Sequence, residues 1–227
     1  MSIYAISDLH LAFDVDKPMD RFGSQWENHP QKIAQRWRAT VREDDTVLVC
    51  GDTSWAMRLP EAARDLDYVH QLPGRKILLR GNHDYWWSSL SQVKGALPES
   101  MTPLQNNSLR VETTQVAGSR GWLLPGDETT TEDERIFWRE IERLRRSLES
   151  ITEPGPRLAM LHYPPFELEA GGSPVVDLLR EFAVQVCVYG HLHAMQPGTY
   201  PEGLFHGIEF RCVSVDLVDF TPQLLVR

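Results

Sequence analysis

Five short apolar runs in this chain each end on a side chain able to ligate a metal, and this feature limits the fold more than any other. Ile3 to Ser7 leads into Asp8-Leu9-His10, Thr46 to Cys50 into Gly51-Asp52, and Ile77 to Arg80 into Gly81-Asn82-His83-Asp84. Leu158 to Leu161 leads into His162, and Val186 to Tyr189 into Gly190-His191-Leu192-His193. Runs of this length, rich in Val, Ile and Leu, predict buried strands. Open α/β sheets place ligands just beyond the carboxyl ends of their strands. That edge here carries Asp, Asn and His, oxygen and nitrogen donors suited to divalent transition metals. Taken singly, Asp8 would read as a helix cap and His162 as a hydrogen-bonded structural histidine. Recurrence at five predicted strand ends favours one shared metal site.

The pattern between the runs is helical. Pro30, a good first-turn residue, opens a helix predicted to reach about Val41, and Pro60 opens another that ends near Leu72, before Pro73-Gly74. The longest helix is predicted from about Thr131 to Ser150. Its apolar stripe is Phe137, Ile141, Leu144, Leu148 and Ile151, and Pro154-Gly155-Pro156 stops it. Arg143, Arg145 and Arg146 fall late in this helix, where they suit the macrodipole, and are read as a solvated face rather than a phosphate-reading one. A short helix follows at about Val175 to Phe182. Residues 11–28 predict a polar loop. Residues 103–124 predict short strands with a turn at Asn106-Asn107, and the chain beyond His193 predicts a β-rich tail to Arg227. Alternating strands and helices followed by strands imply one mixed-sheet α/β domain spanning residues 1–227.

Charge and cysteine usage narrow the function. The formal net charge of −9 argues against a nonspecific nucleic-acid grip, which needs Lys and Arg against phosphates. A small phosphorylated substrate remains compatible, because bound divalent ions make a site electropositive inside an acidic protein. Cys50, Cys187 and Cys212 are odd in number and far apart, and read as reduced buried thiols. The N-terminus shows no secretory pattern and no apolar run reaches membrane-spanning length, so a cytoplasmic protein with no membrane partner is expected.

The order D-x-H, G-D, G-N-H-D, lone His and G-H-x-H, from Asp8 to His193, resembles the calcineurin-like metallophosphoesterase superfamily. The Arg80 to Asp84 block also looks like the RGNHE block of the serine/threonine protein phosphatases. Their phosphate-binding arginine, in G-D-x-x-D-R-G, is missing: this chain reads Gly51-Asp52-Thr53-Ser54-Trp55-Ala56-Met57-Arg58. The surrounding stretches PMDRFGSQWENH, GDTSWAM and GNHDYWW look like a bacterial subgroup of predicted phosphohydrolases. The resemblance implies two packed mixed β-sheets flanked by helices, a four-layer sandwich.

It also implies a dinuclear centre. Asp8, His10 and His193 would complete one metal's shell, and Asn82, His162 and His191 the other's, with Asp52 as bridge. Imidazole-rich ligands favour Mn, Fe, Zn or Co over Mg. The implied reaction is in-line attack on a phosphate ester by a metal-bridging hydroxide. His83 matches the residue that faces the phosphate without ligating, as general acid or charge stabiliser, with Asp84 expected to orient it. Asn82, His83 and Arg58 would hold developing charge. Trp86 is the candidate substrate contact in Tyr85-Trp86-Trp87, though all three could equally pack the core, and Trp26 and Trp55 leave the same alternatives open. His29, His70 and His206 match no block and are expected to be structural. A degenerate protein-binding scaffold should lack a ligand or His83, and none is missing; a metal-dependent nuclease is disfavoured by the net charge.

Overall fold

All four residues of the second apolar run are buried, which a strand achieves only when both its faces are covered. The computed structural model describes residues 1–126 and 128–227, and in it β1 (Ile3–Ile6), β2 (Thr46–Val49), β3 (Arg75–Leu78) and β4 (Met101–Pro103) pair in parallel. β5 (Leu109–Val111) and β6 (Thr114–Ser119) form a hairpin at one edge of a second sheet, which continues in parallel through β7 (Arg157–Leu161) and β8 (Val186–Tyr189). Of the tail strands, β9 (Gly203–Phe205) closes the far edge, and β10 (Ile208–Cys212) lies parallel to β8. β11 (Gln223–Val226) crosses back to the first sheet, antiparallel to β1. The strand orders are β11-β1-β2-β3-β4 and β5-β6-β7-β8-β10-β9.

The period-two alternation of strand side chains sorts the core into layers. Leu48 and Cys50 point between the sheets with Ala5, Leu158, Met160 and Val188. Val47 and Val49 point the other way, onto Ile33, Trp37 and Leu66 of α1 (His29–Thr40) and α2 (Leu59–His70). Ala159, Leu161, Cys187 and Tyr189 meet Phe137, Leu144 and Leu179 of α4 (Thr131–Glu149) and α5 (Pro174–Glu181). The result is a four-layer sandwich of helices, sheet, sheet and helices. All three cysteines are buried and free.

Helix α4 carries its predicted stripe inward: Phe137, Ile141, Leu144 and Leu148 are buried. Its capping box joins Thr130 and Asp133. Arg143 and Arg145 pair with Glu140 (2.6 Å) and Glu181 (2.8 Å), so these arginines meet carboxylates of the helical layer. Among the described residues, no helix is long and apolar enough to cross a membrane.

Two details add to the sequence expectations. Asn106, at the expected turn, adopts left-handed φ (59°) in the link from β4 to β5, which carries the chain between sheets; a second turn after Val111, at Glu112 (φ 52°), makes the hairpin. Helix α3 (Leu90–Ala96) went unpredicted because it spans only seven residues and contains Gly95. Ser89 starts it by accepting from Gln92 N.

Leu48 is fully buried between the sheets, whereas Leu204 on β9 is 75% exposed. Leu48→Ala should therefore cost about 2–5 kcal/mol of unfolding free energy, and Leu204→Ala no more than about 0.5. Urea denaturation of both variants checks this.

Candidate metal centre

The loops that follow β1, β2, β3, β7 and β8 meet at one edge of the sandwich. Backbone bonds tie them together: Asp8 N donates to Gly51 O (2.9 Å), His10 N to Asp52 O (2.9 Å), and Gly190 N to His162 O (3.1 Å). The approach is close enough to require glycine. A Cβ on Gly51 would lie 2.6 Å from His162 Nδ1, one on Gly81 would collide with Asp52, and one on Gly190 would collide with Ser7 and Asp8. Asp8 (62°), His10 (46°), Asp52 (50°) and His191 (71°) all adopt positive φ, a strained conformation for residues other than glycine.

These turns bring all seven predicted ligands together. Asp8 Oδ2 accepts from His191 N (2.9 Å) and Ser214 Oγ (3.1 Å), which leaves Oδ1 facing His193 Nε2 (3.6 Å) and His10 Nε2 (4.0 Å). His10 Nε2 and His193 Nε2 are themselves 3.2 Å apart. Asp52 Oδ1 accepts from His83 N (2.8 Å), and its Oδ2 lies between His162 Nε2 (3.6 Å) and His10 Nε2 (3.9 Å). Asn82 Oδ1 is 2.6 Å from His162 Nε2 and 2.9 Å from His191 Nδ1.

Whether a metal fits can be judged from the lone pairs. Asp8 Oδ1 is buried and has no hydrogen-bond partner among the described residues. His162 Nδ1 lies 3.0 Å from the Cys50 carbonyl and so carries the proton, which leaves an Nε2 lone pair facing the Asn82 oxygen. Acceptors aimed at acceptors in a buried site call for a cation. The donors form two groups, Asp8–His10–His193 and Asp8–Asp52–His162. The donor set fits divalent transition metals.

The electrostatics agree. Burial alone would raise Asp8, but His193, His162 and His10 hold it well below the usual carboxylate range. Burial, with Asp8 and Asp84 nearby, pushes Asp52 up to about 9. Without a cation the site therefore resists a second carboxylate charge. Burial lowers His162 to about 3, which keeps its lone pair free at neutral pH. Burial opposes charge on His193 too, but Asp216 and Asp8 raise it to about 10.

Asp216 was missed in the sequence. Its Oδ1 accepts from His193 Nδ1 (2.8 Å) and its Oδ2 from Ala194 N (2.9 Å), so it fixes which ring nitrogen points inward. It arrives on the tail after β10, where Ser7 N bonds Val213 O (2.8 Å) and Val215 N bonds Ser7 O (3.0 Å). No motif flags it, and 23 residues separate it from His193.

Three sequence expectations need correction. Asp84 does not reach His83. It is fully buried and accepts from Thr53 N (2.9 Å), Ser54 N (3.2 Å), Gly81 N (2.8 Å) and Trp86 Nε1 (2.8 Å), because its side chain turns under the loops. Trp86 is no substrate contact: at 1% exposure it is buried in the core, beside Trp87 and bonded to Asp84. Arg58 is exposed at the start of α2, where its backbone N–H meets Glu61 (3.1 Å), and it does not line the cavity at the site.

The partly buried Trp55 and the buried Trp26 reach the cavity at the site. The cavity at the site, about 300 Å³, is lined by both together with His10, Asp52, His83, His191 and His193. Trp55 stacks on His10 (4.7 Å between centroids) and lies 4.3 Å from His83. His83 is half-buried and its Nδ1 has no partner among the described residues; burial lowers its pKa. His29 is structural, with Nε2 3.2 Å from the His10 carbonyl. His70 and His206 likewise bond Ser100 Oγ (2.8 Å) and the Gly171 carbonyl.

Comparison with known proteins matches these features. The sequence profile described as calcineurin-like phosphoesterase matches residues 1–195. The Gene 66 protein of Mycobacterium phage L5 is 33% identical over 78 residues, which is 34% of this chain and 37% of the phage protein's length. Two solved structures share the fold. The phosphopantetheinyl hydrolase of Mycobacterium tuberculosis has a TM-score of 0.58 at 18% identity, over 94% of this chain and 89% of that one. A protein of unknown function from Aquifex aeolicus has a TM-score of 0.54 at 16% identity, over 98% and 95%.

The place of Asp84 predicts a structural role. Asp84→Ala should cost at least about 3 kcal/mol of unfolding free energy, since it strands several buried N–H groups at about 1–3 kcal/mol each. Urea denaturation of the metal-free protein measures it. A loss under about 1 kcal/mol together with abolished turnover would restore a direct chemical role.

Proposed function

This chain belongs to the calcineurin-like phosphoesterase family, and from that premise we propose that it is a dinuclear metal-dependent hydrolase of small phosphate esters. The observation that carries the reading is the convergence of Asp8, His10, Asp52, Asn82, His162, His191 and His193 in one cluster, of which His10, Asp52, His191 and His193 line a cavity together with His83. Asp8, His10 and His193 would hold one ion, and Asn82, His162 and His191 the other. Asp52 would serve both, a role supported by its Oδ2 lying 3.9 Å from His10 and 3.6 Å from His162. The chemistry that divalent ions supply when bound is a lowered pKa for water and neutralised charge at the phosphoryl oxygens. Mn, Fe, Zn or Co suits these ligands.

The chain's own residues supply the rest. Asn82 and His83 stand at the phosphoryl position and stabilise charge there. Burial keeps His83 neutral in the free protein at neutral pH; an arriving phosphate anion raises its basicity, so that it takes up a proton from solvent as the substrate binds. As the bond from phosphorus to the ester oxygen breaks, His83 gives that oxygen a proton and the alcohol leaves; the attacking water's oxygen stays on phosphorus. Trp26 and Trp55 hold His10 and His83 in place and exclude water from one side of the cavity.

Two outcomes follow. After Mn reconstitution, metal analysis should find close to two ions per chain, falling to one or fewer in Asp52→Asn; saturation at one in the unaltered protein would remove the dinuclear mechanism. His83→Asn should keep both ions yet lower kcat/KM by roughly 10²–10⁴-fold, more for an alkyl phosphate than for para-nitrophenyl phosphate, whose leaving oxygen needs no proton. An equal loss for both substrates would reject proton donation.

A further inference from the structure

A second cavity, of about 600 Å³, meets the candidate metal centre at His191, which lines both. It is formed by the loops after β6, β7 and β8, and two of those same loops carry His162 and His191. Its walls include Trp122, Leu124, Leu168, Leu192 and Met195. Tyr163 joins groove to site. Its ring lies 4.1 Å from that of His191 and 5.1 Å from that of Trp122. Burial pushes the Tyr163 phenol up to about 12, so this wall stays uncharged. Among the described residues, the ionisable groups lining the groove besides His191, Tyr163 and Tyr200 are Glu167 and Glu169, and no lysine or arginine lines it.

Resting on the phosphoesterase reading above, we propose that this groove holds the alcohol portion of the substrate, and that this portion is apolar and carries no negative charge. The argument is continuity and charge. An ester held with phosphorus between the ligands and His83 must lead its alcohol out of the cavity, and the groove beginning at His191 is an exit of ligand-sized volume. Apolar walls reward each buried methylene. A nucleotide or sugar polyphosphate entering there would meet Glu167 and Glu169, while Arg120, over the Trp122 ring (4.3 Å), is already paired with Glu140 (3.5 Å). The groove thus selects by leaving group, whereas the metal-lined cavity selects by phosphoryl group.

The test separates the two levels. Calorimetry on the Mn-loaded protein with n-alkylphosphonates from methyl to octyl reads the groove without turnover. Affinity should rise roughly two- to four-fold per methylene until the groove is filled. An ω-carboxylate at equal length should bind at least about ten-fold more weakly, because Glu167 and Glu169 oppose it. Leu124→Glu and Met195→Glu, at partly exposed positions, should each flatten the chain-length dependence, while Leu204→Glu, on exposed β9, should leave it intact. Flat affinity in the unaltered protein, or unchanged length dependence in both groove variants, would overturn the proposal. Length-dependent binding with no hydrolysis of methyl, octyl, para-nitrophenyl or bis-para-nitrophenyl phosphate would keep the groove and overturn the phosphoesterase reading instead.

Discussion

The whole architecture answers one electrostatic problem: two buried carboxylates and four imidazoles crowd one sheet edge, with the His162 lone pair facing the Asn82 oxygen and Asp8 Oδ1 left without a hydrogen bond among the described residues. Such a cluster is unfavourable without a cation, and the chain must force it. Left-handed backbone at Asp8, His10, Asp52 and His191 contributes strain of order 1–3 kcal/mol per residue. Three apolar layers, packed between and outside the sheets, offset it. The loops have little freedom to relax, because their glycines touch neighbouring ligands and cross-loop backbone bonds hold them. A bound cation would turn this repulsion into attraction, so metal affinity and fold stability are linked in this domain.

Groups behind the ligands decide how each ligand points. The Cys50 carbonyl sets the His162 tautomer, Asp216 sets that of His193, and Ser214 occupies one oxygen of Asp8. Asp84 works one layer deeper by gathering backbone N–H groups from the loops after β2 and β3. It thereby holds Asp52 and Asn82 in a common frame without touching either. On the open side, Trp55 and Trp26 brace His10, and Tyr163 braces His191. Both faces of the centre are thus walled by flat rings, which fix ligand orientation and shape what can enter.

Much of the site was legible in the sequence because strand ends carry chemistry at a fixed place. Asp8, Asp52, Asn82, His162 and His191 each follow a run whose burial on both faces is plain from its Val, Ile and Leu content. The long stripe of α4 was legible for the same kind of reason, a periodic pattern over 19 residues. Asp84 was misjudged because adjacency in sequence says nothing of which way a side chain turns in a tight loop. Trp86 was misjudged because an indole serves a core or a pocket equally well.

Local pattern therefore determined the strands, the main helices, the class of fold and the donor atoms, since each depends on residues close together along the chain. Tertiary structure alone decided that Asp216 and Ser214 would arrive from the tail beneath His193 and Asp8. It also decided that Trp26 and Trp55, rather than Trp86, would wall the cavity, and that a groove would open beside His191. Those outcomes depend on how two sheets pack and where a late strand crosses between them. Contacts between segments some 200 residues apart, as between Asp8 and Ser214, leave no periodic trace in either segment.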